Sequence, residues 1–178
     1  VYGGVGVPMS ETISETKQIL LNSKITEVPS HWKKETIGNV AEKTKGTKPD
    51  TLLEESGPDL LPYLTISASK GDVTQWARAQ DGKRVSEDQV LIVWDGASSG
   101  TVFKASEGVI CSTLAALDFD DELFDSKFAY YFLSQQESRI SELSEGTGIT
   151  HVPRDFMSMF QLLRPPITEQ RRIADILS

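Results

Sequence analysis

The sequence predicts an α+β domain, with a curved, mainly antiparallel sheet, flanking helices and a C-terminal helix. Three observations predict it. Between Leu60 and Leu117, short segments rich in β-branched and aromatic residues succeed one another with no helical pattern between them, which favours antiparallel pairing. Residues 126 to 144 carry Phe128, Tyr131, Phe132, Leu133, Ile140 and Leu143 as one broad helical stripe. The chain then closes on "PPITEQRRIADILS", an amphipathic helix of about three turns, short enough that its stability must come from packing.

The elements follow in order. Residues 1–27 read as an N-terminal remnant and a short helix. "VYGGVGVP" precedes Met9, the expected native start, and in "SETISETKQILLN" (10–22) Thr12 and Glu15 form a capping pattern ahead of Ile19, Leu20 and Leu21. "VPSHWKKETIGNVAE" supplies a turn at Pro29 and an apolar-anchored segment holding Trp32, Ile37 and Val40. "KTKGTKPDTLLEESGPD" (43–59) is rich in Gly, Pro, Lys and acids and reads as a long loop. The strands "LPYLTIS", "DVTQWA", "QVLIVW", "TVFKA" and "GVICSTLAAL" come next, separated by the turn chemistry of "KGD", "QDGKR", "DGASSG" and "SEG". Acidic "DFDDELFD" leads into the helix over 126–144, which Gly146 and Gly148 end. "FMSMFQLLRPP" gives one more strand. In the terminal helix Thr168 is the cap, Glu169 lies in the first turn, and Ile173, Ile176 and Leu177 form an apolar stripe.

Composition bounds the function. A chain of 178 residues, 38% hydrophobic and 25% charged, suits one soluble domain with a sizeable core. Its longest apolar runs are far too short to span a bilayer. One cysteine excludes an intramolecular disulfide framework, and with no secretory signal pattern the expected setting is cytoplasmic. A net charge of −8 argues against a protein that grips nucleic acid unaided, because phosphate contacts need a basic surface.

Several stretches could carry chemistry. His31 and His151 are distant, and no Cys or His cluster has ligand spacing, so no metal site is expected. Cys111, in an alternating apolar segment, reads as a buried small hydrophobe. "WDGASSG" (94–100) has two readings: a catalytic loop built on Asp95, or the favoured hairpin turn in which Asp95–Gly96 supplies positive φ. "KGTKP" (45–49) lacks the ending of a P-loop, leaving phosphate contact by Lys45 and Lys48 or a solvated loop. "QDGKR" (80–84) sets Lys83 and Arg84 at a hairpin tip, where Arg84 either reads guanine through its fork or stays solvated. Trp76 and Trp94 are sheet anchors or, alternatively, stacking platforms for an extruded base.

The order of these stretches is more specific than any one of them. Pro29–x–x–Trp32 with Ile37–Gly38, "GTKP" (46–49), "LPYLTIS" (61–67), Gly71, "SEDQVLIVWDG" (86–96), Gly100, "FDSKFAYYFL" (124–133), "GTGITHV" (146–152) and "RPPITEQRRIADIL" (164–177) occur in sequence. Together they resemble a target recognition domain of a type I restriction-modification specificity subunit, from residue 28 to the end. The resemblance implies a recognition domain over 28–164 and the start of a conserved coiled-coil spacer helix over 165–178. It implies a non-catalytic protein that reads one half of a split double-stranded DNA target. Methyltransferase subunits would place a methyl group on adenine, restriction subunits would complete the nuclease, and S-adenosylmethionine, ATP and Mg would belong to those partners. The chain would be a piece of a longer subunit or a natural half-length one; its start and abrupt end favour a piece. The implied DNA-facing residues are Lys45, Thr47, Lys48, Ser69, Lys70, Arg78, Lys83, Arg84, Ser98, Ser99, Lys104, Thr147 and His151. Ile173, Ile176 and Leu177 would meet a partner methyltransferase subunit and the spacer helix of a second recognition half. The acidic balance would be offset by partners supplying backbone attraction, which leaves weak DNA binding by this unit alone. Rival expectations are the recognition domain of a single-chain restriction-methylation enzyme, an isolated protein-interaction module, and a small hydrolase using Asp95 with His151.

Overall fold

The computed structural model of the chain describes residues 15–145 and 149–178. It opens on a hairpin of β1 (Thr16–Leu21) and β2 (Lys24–Pro29), in which Leu20 faces Ile25. A helix was expected within 10–22, so this is a correction with a clear cause. Asn22 and Ser23 both adopt positive φ, 46° and 68°, the twist that a two-residue hairpin turn requires. The Asn22 amide then donates to the Gln161 carbonyl at 2.9 Å and accepts from the Gln161 N–H at 2.8 Å. Leu21 and Val28 pack against Leu163. These distant contacts outweigh the local capping pattern.

β3 (Lys33–Thr36), a single helical turn α1 (Ile37–Val40) and β4 (Ala41–Lys45) follow. Next come β5 (Leu60–Leu64), β6 (Trp76–Arg78), β7 (Lys83–Val85), β8 (Val90–Val93), β9 (Val102–Lys104), β10 (Gly108–Ile110) and β11 (Leu114–Phe119). After α2 (Ser126–Gln135), α3 (Glu137–Leu143) and a turn α4 (Phe156–Met159), β12 (Gln161–Arg164) leads into α5 (Ile167–Leu177). Two four-stranded sheets result, ordered β6-β5-β10-β7 and β4-β11-β8-β9, with β12 pairing β3 beside them. Among the described residues all strand pairings are antiparallel except β10 with β5. The mixed α+β class and mainly antiparallel sheet match the expectation.

The sheet β4-β11-β8-β9 organises the interior because its central strands are buried on both faces. Val90, Ile92, Ala115 and Leu117 point into a core with Phe124, Phe128, Leu133 and Phe156. Their alternates Leu91, Val93, Leu114 and Ala116 point into a second core with Leu64, Val109 and Ile110. Period-two side chains on a strand covered twice give the continuous apolar runs "VLIV" and "LAAL". "GVICSTLAAL" is therefore two strands, β10 and β11, which the chain passes between from one sheet to the other.

The helix expected over 126–144 is broken at Gln136, whose φ and ψ are −102° and 4°. Asp125 caps α2 by accepting from the Phe128 N–H at 3.0 Å. The break lets the Glu137 carboxylate accept from the Val102 N–H of edge strand β9 at 2.9 Å. α3 ends at Leu143, and Gly146 and Gly148, the expected terminators, lie outside the described residues. Within "FMSMFQLLRPP", the expected strand is preceded by α4, because Phe156 and Phe160 stack four residues apart with ring centroids at 4.8 Å.

α5 starts at Ile167 behind Pro166, not behind a Thr168 cap. Gln170, fully buried, brackets it to the domain: its amide donates to the carbonyls of Leu123 (2.9 Å) and Pro165 (2.8 Å) and accepts from the Asp125 N–H (2.9 Å). Glu169 accepts from the Trp32 indole at 2.9 Å and meets the His31 ring at 2.7 Å. Partial burial pushes the Glu169 carboxyl up, but the Trp32 and His31 hydrogen bonds and the His31 charge outweigh it and hold the group below its ordinary value. The expected stripe divides: Ile173 packs on the core and Ile176 is 75% exposed. No helix among the described residues is long and apolar enough to cross a membrane.

Two outcomes follow from this docking. Ile173→Asp should lose about 2–3 kcal/mol in urea denaturation, since it sets a charge against the core, whereas Ile176→Asp should stay within about 0.5 kcal/mol of the parent. For Glu169, the depressed folded pKa means its contribution is present above the unfolded value and lost as pH falls through the folded one. The Trp32 indole N–H resonance should therefore move at a pH below the ordinary glutamate range, and Glu169→Gln should abolish that transition.

Candidate nucleic-acid interface

Four segments meet at the end of the central sheet where β4 and β8 finish and β11 begins. The first is 46–49. The Gly46 N–H donates to the Leu114 carbonyl at 2.9 Å, and a Cβ on Gly46 would stand 2.0 Å from the Cys111 carbonyl oxygen. Glycine is required here because two backbones touch. The second, 94–100, turns at Gly96 with φ 107°. The third, 111–113, accepts at the Thr113 carbonyl from the N–H groups of Trp94 (2.7 Å) and Asp95 (3.2 Å). The fourth, 149–152, is laced to the second: the Gly96 N–H donates to the Thr150 carbonyl (2.8 Å), the Thr150 hydroxyl to the Gly96 carbonyl (2.7 Å), and the Val152 N–H to the Trp94 carbonyl (2.9 Å).

An ion pair locks the first three together. Lys45 Nζ lies 2.8 Å from Asp95 Oδ2 and also donates to the Ser112 carbonyl. The backbones of Asp95 and His151 form a bridge, but the carboxylate is committed to Lys45 and the His151 backbone to Glu145. The Asp95 carboxylate thus acts as a clamp between β4 and the 94–100 loop.

Most of the expected residues gather at this end. Thr47, Lys48 and Ser98 are exposed there, and His151 is half-buried. Lys83 pairs with Ile110 at the adjoining end of β7, next to Gly82, where a Cβ would stand 3.5 Å from Pro49 and 3.8 Å from Thr47. Ser69 and Lys70 lie on the turn after β5, whose Leu64 carbonyl accepts from the Cys111 N–H at 3.0 Å. The Ser69 hydroxyl is buried and unpaired, and Lys70 is exposed. Arg84 is exposed beside this group but ion-paired with Glu107.

Others are placed elsewhere. Ser99 is 4% exposed; its hydroxyl donates to Thr150 and its carbonyl accepts from Ser141, so it holds the loop. Lys104 pairs with Val90 at the opposite end of β8, its ammonium over the rings of Tyr130 and Tyr131. Arg78 faces Leu60 at the other end of β5. Thr147 lies outside the described residues. Trp94 is a core anchor, 6% exposed and edge-on to Phe156 at 5.9 Å.

Lys43, which motif reading passed over, has its ammonium 4.1 Å from the Trp94 ring centroid. The signal for it was the alternation in "AEKTK", which puts Lys43 and Lys45 on one face of β4. Burial and the Lys45 charge lower its pKa, with Asp95 opposing. At the opposite end of the same sheet Glu42, Asp88, Asp118, Asp120 and Asp121 line one cleft. That cleft gathers five of the chain's 26 acidic residues.

The chain belongs to the type I restriction modification DNA specificity domain family, whose profile matches residues 29–178. It is 30% identical over 153 residues to the type I restriction enzyme MjaVIII specificity subunit of Methanocaldococcus jannaschii, covering 85% of this chain and 36% of that protein. It is 31% identical over 154 residues to a putative type I specificity subunit, S.MpnORF638P, of Mycoplasma pneumoniae, covering 84% and 38%. Among solved structures, the type I restriction-modification S subunit from M. genitalium superposes with a TM-score of 0.60 at 26% identity, covering 83% of this chain and 38% of that one. The chain thus spans a little over a third of the length of these relatives.

The Gly46 contact can be tested directly. Gly46→Ala should cost roughly 2–4 kcal/mol of stability in denaturant unfolding, because its methyl group meets backbone that no side-chain rotation can clear.

Proposed function

We propose that this chain is one recognition unit of a type I restriction-modification specificity subunit, reading one half of a bipartite DNA target. The family match over 29–178 carries the proposal. The cluster of loops exposing Thr47, Lys48, Lys70, Lys83, Ser98 and His151 at one end of the sheet supports it. In this reading the lysines take backbone phosphates, the hydroxyls take base edges or phosphates, and Arg84 exchanges Glu107 for a guanine. Adenine methylation and restriction belong to partner subunits, which bring S-adenosylmethionine, ATP and Mg. Ile176 and Leu177, the more exposed side of α5, would meet the partner methyltransferase subunit or the spacer helix of a second recognition half.

Host methylome sequencing with and without the gene tests the proposal. Loss of one bipartite adenine-methylated motif is the expected result, and an unchanged methylome would overturn it. In the assembled methyltransferase, Arg84→Ala should weaken binding to cognate DNA by about 1–3 kcal/mol, the worth of a bidentate base contact. Methyl transfer by the purified chain alone would contradict the assignment of chemistry to partners.

A further inference from the structure

We propose that Lys43, held over the Trp94 indole, seats a DNA backbone phosphate at the corner formed by β4 and the 94–100 loop. The inference rests on the DNA-reading function above and adds a contact that no sequence motif marks.

Three observations carry it. Lys43 and Lys45 project from the same face of β4, but their charges have different fates. Lys45 is neutralised by Asp95 at 2.8 Å, while no carboxylate among the described residues stands within ion-pair distance of Lys43. The corner therefore keeps a positive charge within an acidic protein. The platform beneath that charge is rigid. Trp94 is buried and packed edge-on against Phe156, and its backbone is held through the N–H to the Thr113 carbonyl and through the carbonyl to the Val152 N–H. A cation stacked on a fixed indole has less rotamer freedom to lose when an anion arrives. Finally, partial burial and the neighbouring Lys45 lower the Lys43 pKa while Asp95 raises it, and a phosphate that pairs with the ammonium offsets the first two. A lysine offers a point charge with no directional fork, so its ligand is backbone phosphate, not a base edge.

The test uses the 178-residue chain and a duplex of unrelated sequence, with affinity followed from about 20 to about 80 mM salt. One lost phosphate contact should lower the slope of log affinity against log salt by about 0.9, so the wild-type advantage over Lys43→Gln shrinks about 3- to 4-fold across that range. Lys43→Arg, which keeps the charge and stacks on the indole, should retain the wild-type slope. Equal slopes for wild type and Lys43→Gln, both folded by circular dichroism, would overturn the proposal while leaving the DNA reading intact. Loss of slope in Lys43→Arg as well would also overturn it, since charge would not be the cause. Inorganic phosphate displacing the duplex at an equal concentration of phosphate groups would make the corner a free-ion site and overturn it too. Absence of salt-dependent binding by the wild-type chain would overturn the proposal as well, whereas only an unchanged host methylome would remove the DNA reading itself.

Discussion

Burial of β8 and β11 on both faces is the constraint on which the rest of the molecule depends. A strand covered once can shift its register at the cost of exposing one row of side chains. A strand covered twice has no solvent side to slip toward, so its position is fixed from both cores. Leu91 and Leu114 on one face and Ile92 and Leu117 on the other are all fully buried. The ends of these strands are consequently fixed points, and the loops that leave them inherit that precision.

Those loops are then joined by polar contacts that a mobile surface could not maintain. The Lys45–Asp95 pair, the Thr113 carbonyl shared by Trp94 and Asp95, and the reciprocal bonds of Gly96 with Thr150 tie four chain segments into one unit. Each bond is partly exposed and individually modest. Their value is geometric, since a recognition surface must hold its donors and acceptors in place before the ligand arrives.

The terminal helix is positioned by the same logic. Glu169 and Gln170 are adjacent, so they face different directions from the helix, one toward Trp32 and His31 and the other into the cap of α2. Two anchors about 100° apart around one helix fix its rotation as well as its location. The segment "VPSHW" and the segment "PPITEQ", far apart in sequence, are thus two halves of one joint.

Much of this was legible in the chain. The strand-rich middle, the helical stripe from Phe128 to Ile140, the closing helix and the family resemblance all rest on periodicity, turn chemistry or motif order, which are local or ordered properties of the sequence. The candidate site was legible in part: Lys48 and Ser98 stand in loops, and Lys83 directly follows one, whose turn residues announce them. What escaped depended on partners remote in sequence. Asn22 made a hairpin because Gln161 was waiting for it; Ser99 was withdrawn by Thr150; Lys104 lay at the opposite end of the sheet from the loop cluster; Ile173 was claimed by the core and Ile176 was left out. Lys43 gained its setting from Trp94, which is about fifty residues away and reaches it because β11 lies between β4 and β8. The sequence by itself determined the run of short strands between Leu60 and Leu117 and the closing helix, because those preferences belong to a few neighbouring residues. The tertiary structure alone decided which polar groups were used up and which were left facing outward, because that depends on contacts made only once the chain has closed on itself.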